Sequence, residues 1–557
     1  MKIFEGRNRS VAVFFVAVLV TVSMSAYSSL TNNDRYFQIV KNLDIFATLF
    51  KEVNTYYVDE VNPNELIKVG IDAMLNSLDP YTDYIPEDDI EAYMTMTTGE
   101  YGGIGALVDN KDGINTITMP YKGSPAYKAG LKIGDQILAV NGIDLRGKDS
   151  DDISKLLKGA SSSELEMRIK RPFVEEEFTV NVKREKITLD NVPYFGMITE
   201  DVGYVRLSDF TTKAGKEVAS AVKKLRGQGA NKMILDLRGN PGGLLDEAIR
   251  VSNVFVEKGR DIVSTRGKLE TWTKSYKSQM DAVDTEMPLV VLIDNGSASA
   301  SEIVSGVMQD YDRGVLVGRR TFGKGLVQQT RPLAYNSQLK VTTAKYYIPS
   351  GRCIQAIDYS DRNPDGSVGK IPDSLKTAFK TARGRTVFDG GGLTPDIKVE
   401  PEAYSPISFS LLRNDLIFHY ATKYAFENPE IEEAISFALT DQEYQEFVDW
   451  LSGKDYNYIT EVEKSVERLV ASAKKEKYYG EIEKQILDLQ TVTLHNKSSD
   501  LINFKKEIKT ILEQEIVSRY YLQEGAIEST FREDADIIMA VQVLQDSERY
   551  SEILATK

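Results

Sequence analysis

The stretch that decides the fold runs from Leu289 to Tyr311 and reads LVVLIDNGSASASEIVSGVMQDY. It opens on a continuous apolar run, which predicts a buried strand, and a helical pattern begins near Ser301. The segment GSASAS, which contains Ser297 and Ser299, is therefore predicted to form the turn between the strand and the helix. The first turn of a helix presents free backbone N–H groups and favours negative charge, so this turn is a candidate site for a nucleophile.

Strand and helix patterns alternate on both sides of this turn, from about residue 188 to 400, which indicates an α/β domain. Residues 98–187 instead show short strand patterns and glycine turns, which indicates a β-rich domain. Residues 31–97 and 401–557 are mostly helical in pattern. The strand candidates of the α/β region include GYVRLSDF (203–210), KMILDLRGN (232–240) and GVLVGRR (314–320), with amphipathic helix patterns at 212–229 and 244–259.

Apolar side chains recur at helical spacing in the N-terminal helical segment. The spacing predicts an amphipathic helix with one buried face. The residues on this face are Ile39, Leu43, Phe46, Phe50, Val53 and Tyr57.

The first thirty residues predict export from the cytoplasm. Lys2, Arg7 and Arg9 precede a stretch from Val11 to Leu30 without any charge. A basic flank followed by an apolar stretch is typical of a signal peptide or of an uncleaved membrane anchor. A buried core helix is the alternative, but the flank, the position and the length all favour export. We therefore expect an extracytoplasmic protein, either periplasmic or anchored in the membrane and facing the periplasm.

Composition excludes several classes of protein and site. A chain of 557 residues exceeds a single hydrophobic core, so several domains are expected. The net charge of −15 argues against nucleic acid as a partner. The single cysteine, Cys353, excludes an intramolecular disulfide and a cysteine-cluster metal site, and no HExxH zinc motif is present. No metal site and no cofactor is predicted.

The two histidines, His419 and His495, both lie in the helical tail, far from any glycine turn or strand end. A Ser-His-Asp triad is therefore not expected, and lysine is the known substitute as a base. A lysine that acts as a base must be neutral near pH 7, which requires burial in apolar surroundings. Lys324, between Gly323 and Gly325, fits this requirement, although an exposed turn tip explains the same pattern.

Two structural alternatives apply to these motifs. Ser299 and Glu302 match the S-x-x-E capping box, which needs no catalytic role. The segment from Gly318 to Lys324 matches most of a Walker A loop and follows a strand, but Gly325 stands where a Mg²⁺-binding Ser or Thr is required. The extended pattern after Lys324 also disagrees with the helix that a nucleotide-binding loop needs.

Several motifs taken together resemble the C-terminal processing peptidases, also called tail-specific proteases. They are, in chain order, YGGIGALV, GSPAYKAGLKIGDQILAVNG, DLRGNPGGLL, GSASASEIVSGVMQDY, GRRTFGKGLVQQ, YYIPSGRCIQ and GGLTPDI, and the resemblance covers about residues 40 to 400. It implies a crotonase-like α/β protease core at 188–400, a β-rich PDZ domain inserted at 98–187, an N-terminal helical segment and a helical C-terminal region that the family core does not match.

The resemblance also implies the site residues of a serine endopeptidase. The nucleophile falls on Ser299, the general base on Lys324 and a glutamine that orients the lysine on Gln328. The oxyanion hole falls on backbone N–H groups of Gly242 or Gly243 and of Ala300.

In this family the PDZ domain receives the C-terminal tail of a protein substrate. In this chain the peptide-binding residues are expected at Gly103, Ile104 and Gly105, and Arg171 resembles an arginine that couples the PDZ domain to the active site in some relatives. If the N-terminal segment is not cleaved, it is expected to attach the protein to the membrane. Residues 401–557 are a candidate region for homo-oligomerisation or for an adaptor contact. A non-catalytic PDZ scaffold that binds protein C-termini is the alternative function.

Overall fold

The computed structural model describes residues 34–359, 367–401, 403–493 and 497–555. The predicted export segment, residues 1–30, and His495 lie outside these residues. The chain divides into two compact units, with the boundary between Tyr84 and Ile85. Within the described ranges, no helix combines the length and the hydropathy that crossing a membrane requires.

The first unit contains two helices, α1 (residues 34–56) and α2 (Pro63–Asn76). The prediction of a helix near the N-terminus is confirmed, but the prediction that its apolar face is buried is wrong for the single chain. Leu43 is 63% exposed and Phe46 is 46% exposed. The apolar period showed that α1 is amphipathic, but it could not show which surface covers it.

The second unit begins with a small β-rich domain. Its main sheet runs in the order β3-β4-β5-β7-β8, with β6 on β5, while β2 pairs with β9. A cluster of buried aliphatic side chains, including Ile117 and Met167, fills its interior. Strand β1 (Asp83–Ile85) spans the boundary between the two units. The elements of the β-rich domain are α3 (Ile90–Thr98), β2 (Glu100–Gly103), β3 (Ala106–Lys111), β4 (Ile114–Pro120), α4 (Pro125–Lys128), β5 (Gln136–Val140), β6 (Ile143–Asp144), α5 (Ser150–Leu157), β7 (Glu164–Lys170), β8 (Phe178–Lys183) and β9 (Glu185–Thr188).

A six-stranded sheet forms the centre of the α/β domain, in the order β10-β11-β12-β15-β16-β21. Its strands from β11 to β21 are parallel, and β10 is antiparallel to β11. A second, antiparallel sheet contains β14, β13, β18 and β17. The elements are β10 (Tyr194–Met197), β11 (Val202–Arg206), α6 (Ala214–Gly227), β12 (Lys232–Asp236), α7 (Leu245–Phe255), β13 (Asp261–Gly267), β14 (Lys274–Lys277), β15 (Leu289–Ile293), α8 (Ala300–Asp310), β16 (Val315–Gly318), β17 (Leu326–Pro332), β18 (Gln338–Tyr347), β19 (Ala378–Lys380), β20 (Thr386–Phe388) and β21 (Ile397–Lys398).

Helices cover both faces of the six-stranded sheet, which explains why β15 is apolar at every position. Helices α6, α7 and α8 pack on one face around Val291 and Leu235. The opposite face, with Val290 and Ile234, packs against apolar side chains from the last fifty residues of the chain, among them Ile537. The C-terminal end of the chain is therefore part of the core of the α/β domain.

The C-terminal region is helical, as predicted, and it also contacts the β-rich domain. Lys111 forms an ion pair with Asp415 at 2.8 Å, and the His419 ring bonds Asp112 at 2.8 Å. His419 thus contacts the β-rich domain and not the turn that contains Ser299. The helices are α9 (Pro406–Arg413), α10 (Leu416–Glu427), α11 (Asp441–Trp450), α12 (Glu461–Lys475), α13 (Tyr479–Thr493), α14 (Lys497–Asn503), α15 (Lys505–Glu528), α16 (Ala535–Gln545) and α17 (Ser547–Leu554).

Candidate active site

Ser299 occupies a sharp turn between β15 and α8. Its backbone angles, φ 54° and ψ −110°, lie in a region that residues with a side chain rarely adopt. Ser297 and Ser301 are buried, and their hydroxyls donate to the carbonyls of Leu237 (2.8 Å) and Asn240 (2.9 Å). Ser299 is only partly buried. Of the three serines of the turn, Ser299 is therefore the one placed to reach a substrate.

Glu302 joins this turn to the loop that contains Lys324. Its Oε2 accepts hydrogen bonds from the N–H of Ser299 at 2.8 Å and from the N–H of Lys324 at 2.9 Å. Its Oε1 accepts from the N–H of Gly323 at 2.8 Å and from the hydroxyl of Thr321 at 2.5 Å. The carboxylate expected to act as a local helix cap thus also fixes the lysine loop beside Ser299.

Glu302 is fully buried, and burial raises its pKa to about 7. The four hydrogen bonds that its carboxylate accepts act in the opposite direction, because they favour the charged form. A buried carboxylate surrounded by four donors is costly to misplace, so it holds the surrounding backbone firmly.

The lysine loop is also fastened to residues 353–357. Gly323 has a φ of +89°, and a Cβ there would come within 2.4 Å of the Cβ of Ala356. The N–H of Gly325 donates to Oε1 of Gln355 at 2.7 Å. Strand β17 follows Lys324 directly, where a nucleotide-binding loop requires a helix, and this supports the sequence argument against a Walker A site.

Gln328 lies on β17, next to an irregularity in the pairing of β17 with β18. Its side-chain Nε2 donates to Oγ1 of Thr342 at 3.2 Å, across the β17–β18 pair. Gln328 therefore lies on β17, the strand that follows the lysine loop, and its side chain is held by a residue of β18.

The turn after β12 lies directly against Ser299. Gly242 has a φ of +99°, and a Cβ there would come within 2.8 Å of the Ala300 nitrogen and 2.9 Å of the Ser299 Cβ. The N–H of Gly242 donates to Oδ1 of Asn240 at 2.9 Å, so it is already engaged. The N–H groups of Gly243 and Ala300 donate to no acceptor in the described part of the chain. These two groups are the ones available to an oxyanion.

The β-rich domain contains a groove of about 270 Å³ between β3 and α5. Ile104 and Gly105 lie at one end of this groove, and apolar side chains of Ile153 and Leu157 line it. Gly103 is paired with Glu185 in the β2–β9 ladder and does not line the groove.

The loop at 104–105 has the form of a carboxylate receptor. The Ile104 carbonyl accepts from the N–H of Ala126 at 2.8 Å, and the Gly105 carbonyl accepts from the Ser124 hydroxyl at 2.8 Å. The N–H groups of Ile104 and Gly105 donate to no acceptor among the described residues. A loop with engaged carbonyls and available N–H groups suits the terminal carboxylate of a peptide.

Arg171 is held within the same β-rich domain. Its guanidinium donates to both carboxylate oxygens of Asp135 at 2.7 Å and to the Gly130 carbonyl at 2.8 Å. No contact that the structure gives for Arg171 reaches the turn of Ser299 or the lysine loop.

The site contains the parts that acyl transfer needs. A serine at a helix N-terminus, a lysine on a loop bonded to the same carboxylate and two available N–H groups lie on neighbouring segments. No cluster of metal-binding side chains occurs within the described ranges. This combination of a serine, a lysine and available N–H groups, with a groove suited to peptide C-termini, defines a PDZ-containing serine peptidase.

Comparisons with known proteins agree with this class. The family model "Peptidase family S41" matches residues 201–368, a PDZ domain model matches 116–171, and the C-terminal helical domain of a probable PDZ-protease matches 407–544. A carboxy-terminal-processing protease of Bartonella bacilliformis is 34% identical over 421 residues, which are 74% of this chain and 88% of that protein. The chain belongs to peptidase family S41 and is a serine-type peptidase.

Further relatives extend the comparison. A probable CtpA-like serine protease of Staphylococcus aureus (strain MRSA252) is 34% identical over 357 residues, 62% of this chain and 70% of that protein. The solved structure of a photosystem II D1 C-terminal processing protease is 26% identical, with a TM-score of 0.34, and covers 64% of this chain and 92% of that one. The resemblance found in the sequence and the predicted fold class are confirmed, and the non-catalytic scaffold is not favoured.

Proposed function

We propose that this peptidase cleaves protein substrates delivered by their C-terminal tails, with Ser299 as the nucleophile and Lys324 as the general base. The observation that carries the proposal is the shared hydrogen bonding of Ser299 and Lys324 to Glu302 Oε2. The two backbone nitrogens therefore lie closer together than the combined length of the two hydrogen bonds, which are 2.8 Å and 2.9 Å.

The chemistry follows from these positions. The Ser299 Oγ attacks the scissile carbonyl while the neutral Lys324 amine takes its proton. The N–H groups of Gly243 and Ala300 donate to the oxyanion that forms, and the dipole of α8 favours its charge. The Lys324 ammonium then protonates the leaving amine and the peptide bond breaks. Water, deprotonated by Lys324, hydrolyses the acyl ester and restores Ser299.

Gln328 is proposed to orient this lysine. Its amide is held by Thr342 on the neighbouring strand, which limits its motion. An amide held in this way would restrict the directions in which the Lys324 amine can donate.

The groove of the PDZ domain is proposed to deliver the substrate tail. The terminal carboxylate would bind the N–H groups of Ile104 and Gly105, and the last apolar side chain would contact Ile153 and Leu157. The tail would add as a strand along β3.

We also propose an extracytoplasmic location. The support is the sequence alone: basic residues before an uncharged stretch from Val11 to Leu30. The exposed apolar face of α1, with Leu43 and Phe46, favours a partner surface, and a second copy of the chain is the simplest candidate. Fractionation of cells that express the full chain, with and without residues 1–30, tests the location. Recovery of both forms from the cytoplasm would overturn it.

The catalytic assignment is tested with purified protein and an unstructured substrate that ends in an apolar residue. Ser299→Ala and Lys324→Ala are each expected to abolish cleavage. Ser305→Ala is the matched control, because Ser305 lies on the same helix and its hydroxyl donates to the Ser301 carbonyl at 2.8 Å. Full cleavage by Ser299→Ala would remove Ser299 as the nucleophile.

Tail delivery is tested with the same substrate carrying a C-terminal amide. Loss of the carboxylate is expected to raise KM at least tenfold, since the two N–H groups of the receptor loop lose their charged acceptor. Equal cleavage of the acid and the amide would contradict delivery through the groove without touching the assignment of Ser299.

A further inference from the structure

Helix α16 begins at the edge of the sheet where the catalytic loops emerge. Asp534 caps this helix by accepting from the N–H groups of Asp536 (2.9 Å) and Ile537 (3.1 Å). The same carboxylate accepts two hydrogen bonds from Nη1 of Arg238, at 2.9 and 2.8 Å. The cap of a C-terminal helix is therefore bonded to the residue that opens the glycine turn after β12.

Asp536 connects this turn to the lysine loop as well. Its Oδ2 accepts from Nη1 of Arg238 at 2.9 Å and from Nη2 of Arg319 at 3.3 Å. Arg238 stands shortly before Gly243, and Arg319 stands shortly before Lys324. Oδ2 of Asp536 thus accepts hydrogen bonds from Arg238 and from Arg319, which precede the two loops with the proposed catalytic groups.

Arg238 is fixed from the other side too. Its guanidinium donates to Asp236 at 2.7 Å, and Arg206 donates to the same carboxylate at 2.9 Å. Asp236 is fully buried. Asp236 therefore remains an ion-pair partner of Arg238 when the charge on α16 is removed.

We propose that Asp534 and Asp536 are positioning residues of the peptidase, which hold the oxyanion turn and the lysine loop in register through Arg238 and Arg319. This inference rests on the proposed catalytic roles of Gly243 and Lys324. The C-terminal helical region then helps to position the active-site loops and is not only an appended domain.

The expected effect follows from the geometry of catalysis. An oxyanion donor acts at a defined distance from a charge that exists only in the transition state, so a small displacement reduces kcat and leaves substrate binding unchanged. A displacement of about 1 Å in such groups costs on the order of 10–100-fold in rate.

The test replaces both carboxylates by isosteric amides, Asp534→Asn with Asp536→Asn. We expect kcat to fall at least tenfold with KM unchanged, and the affinity for a peptide boronate, which forms a tetrahedral adduct on the nucleophilic serine, to fall in parallel. Should the double variant fail to fold, the single variant Asp536→Asn retains the Asp534 cap and is expected to show a smaller loss of the same kind.

Gln545→Ala is the matched control. Gln545 lies at the other end of α16 and bonds Lys232 and Asp201, each at 2.8 Å, at the opposite end of β12. If α16 only anchors the C-terminal region, the amide variants and Gln545→Ala lose equal thermal stability and none of them changes the boronate affinity. That result would overturn the inference. Wild-type kcat and boronate affinity in the amide variants would overturn it as well. Cleavage by Ser299→Ala in the same assay would instead contradict the proposed function.

Discussion

The backbone N–H groups of Ser299 and Lys324 donate to one and the same atom, Oε2 of Glu302. The proposed nucleophile at the start of α8 and the proposed base on the loop before β17 are thus aligned by a third residue, which is fully buried. Since proton transfer between a serine and a lysine requires hydrogen-bond reach, catalysis depends on this alignment.

Glu302→Gln is expected to reduce kcat by on the order of 100-fold, because an amide replaces one acceptor oxygen with a donor that faces two N–H groups. Glu247→Gln is the matched control. Glu247 is also buried, but it lies in α7, where it accepts from the N–H of Gly215 at 2.9 Å and pairs with Arg250 at 2.5 Å. We expect the control to lose stability without a comparable loss of kcat, as measured by steady-state kinetics and thermal unfolding. Equal kcat losses in both variants would contradict a specific role for Glu302.

The raised pKa of Glu302 predicts a pH dependence of stability. Burial raises the pKa from 4.5 to about 7, so the folded chain binds this proton more tightly than the unfolded chain. The contribution to stability is therefore complete below pH 4.5 and is lost as the pH rises to 7, by roughly 3 kcal/mol. Glu302→Gln should remove this slope. Denaturant unfolding between pH 4.5 and 8 measures the difference, and parallel curves for the two proteins would contradict the shift.

The backbone of Ser299 predicts an unusual order of stabilities. At a φ of 54°, Ser299→Gly is expected to be more stable than Ser299→Ala by about 1 kcal/mol, because glycine tolerates this conformation. At Ser305, inside α8, the order should reverse by a similar amount, because glycine weakens a helix interior. Chemical denaturation of the four variants measures both differences. The same order at both positions would argue against strain at Ser299.

Gly242→Ala is expected to inactivate the enzyme without unfolding it, since the added Cβ meets the Ala300 nitrogen and the Ser299 Cβ at 2.8 and 2.9 Å. Displacement of Ala300 moves a proposed oxyanion donor, and such losses cost on the order of 100-fold in kcat. Gly227→Ala is the control, because nothing lies within 4 Å of a Cβ there. A variant at Gly242 with normal kcat would show that the turn and Ser299 are not in contact.

The sequence predicts features that depend on neighbouring residues along the chain. The apolar strand before Asp294 and the helical pattern after Ser301 predicted the strand, turn and helix that the structure shows. Because no histidine lies near a predicted strand end, the sequence favours a lysine as the base, and Lys324 lies on a loop bonded to Glu302.

Relationships between distant segments could not be predicted in this way. Glu302 matched a capping box, and nothing in its spacing indicated that Gly323 and Lys324 share its carboxylate. The contact between Asp534 and Arg238 joins segments 296 positions apart, and no local pattern encodes it. The face of α1 that contains Leu43 was expected to be buried but is exposed. A helical period indicates that a helix has an apolar face, but it does not indicate which surface covers that face.

The most direct test of the central claim is to identify the residue that carries the acyl intermediate. The enzyme is mixed with an activated peptide ester, quenched in acid within the first turnover, digested and mapped by mass spectrometry. The account predicts one acyl group on Ser299, on the peptide that spans residues 296–311, and none in the Ser299→Ala variant. An acyl group on another residue, or cleavage by the wild type with Ser299 never acylated, would contradict it.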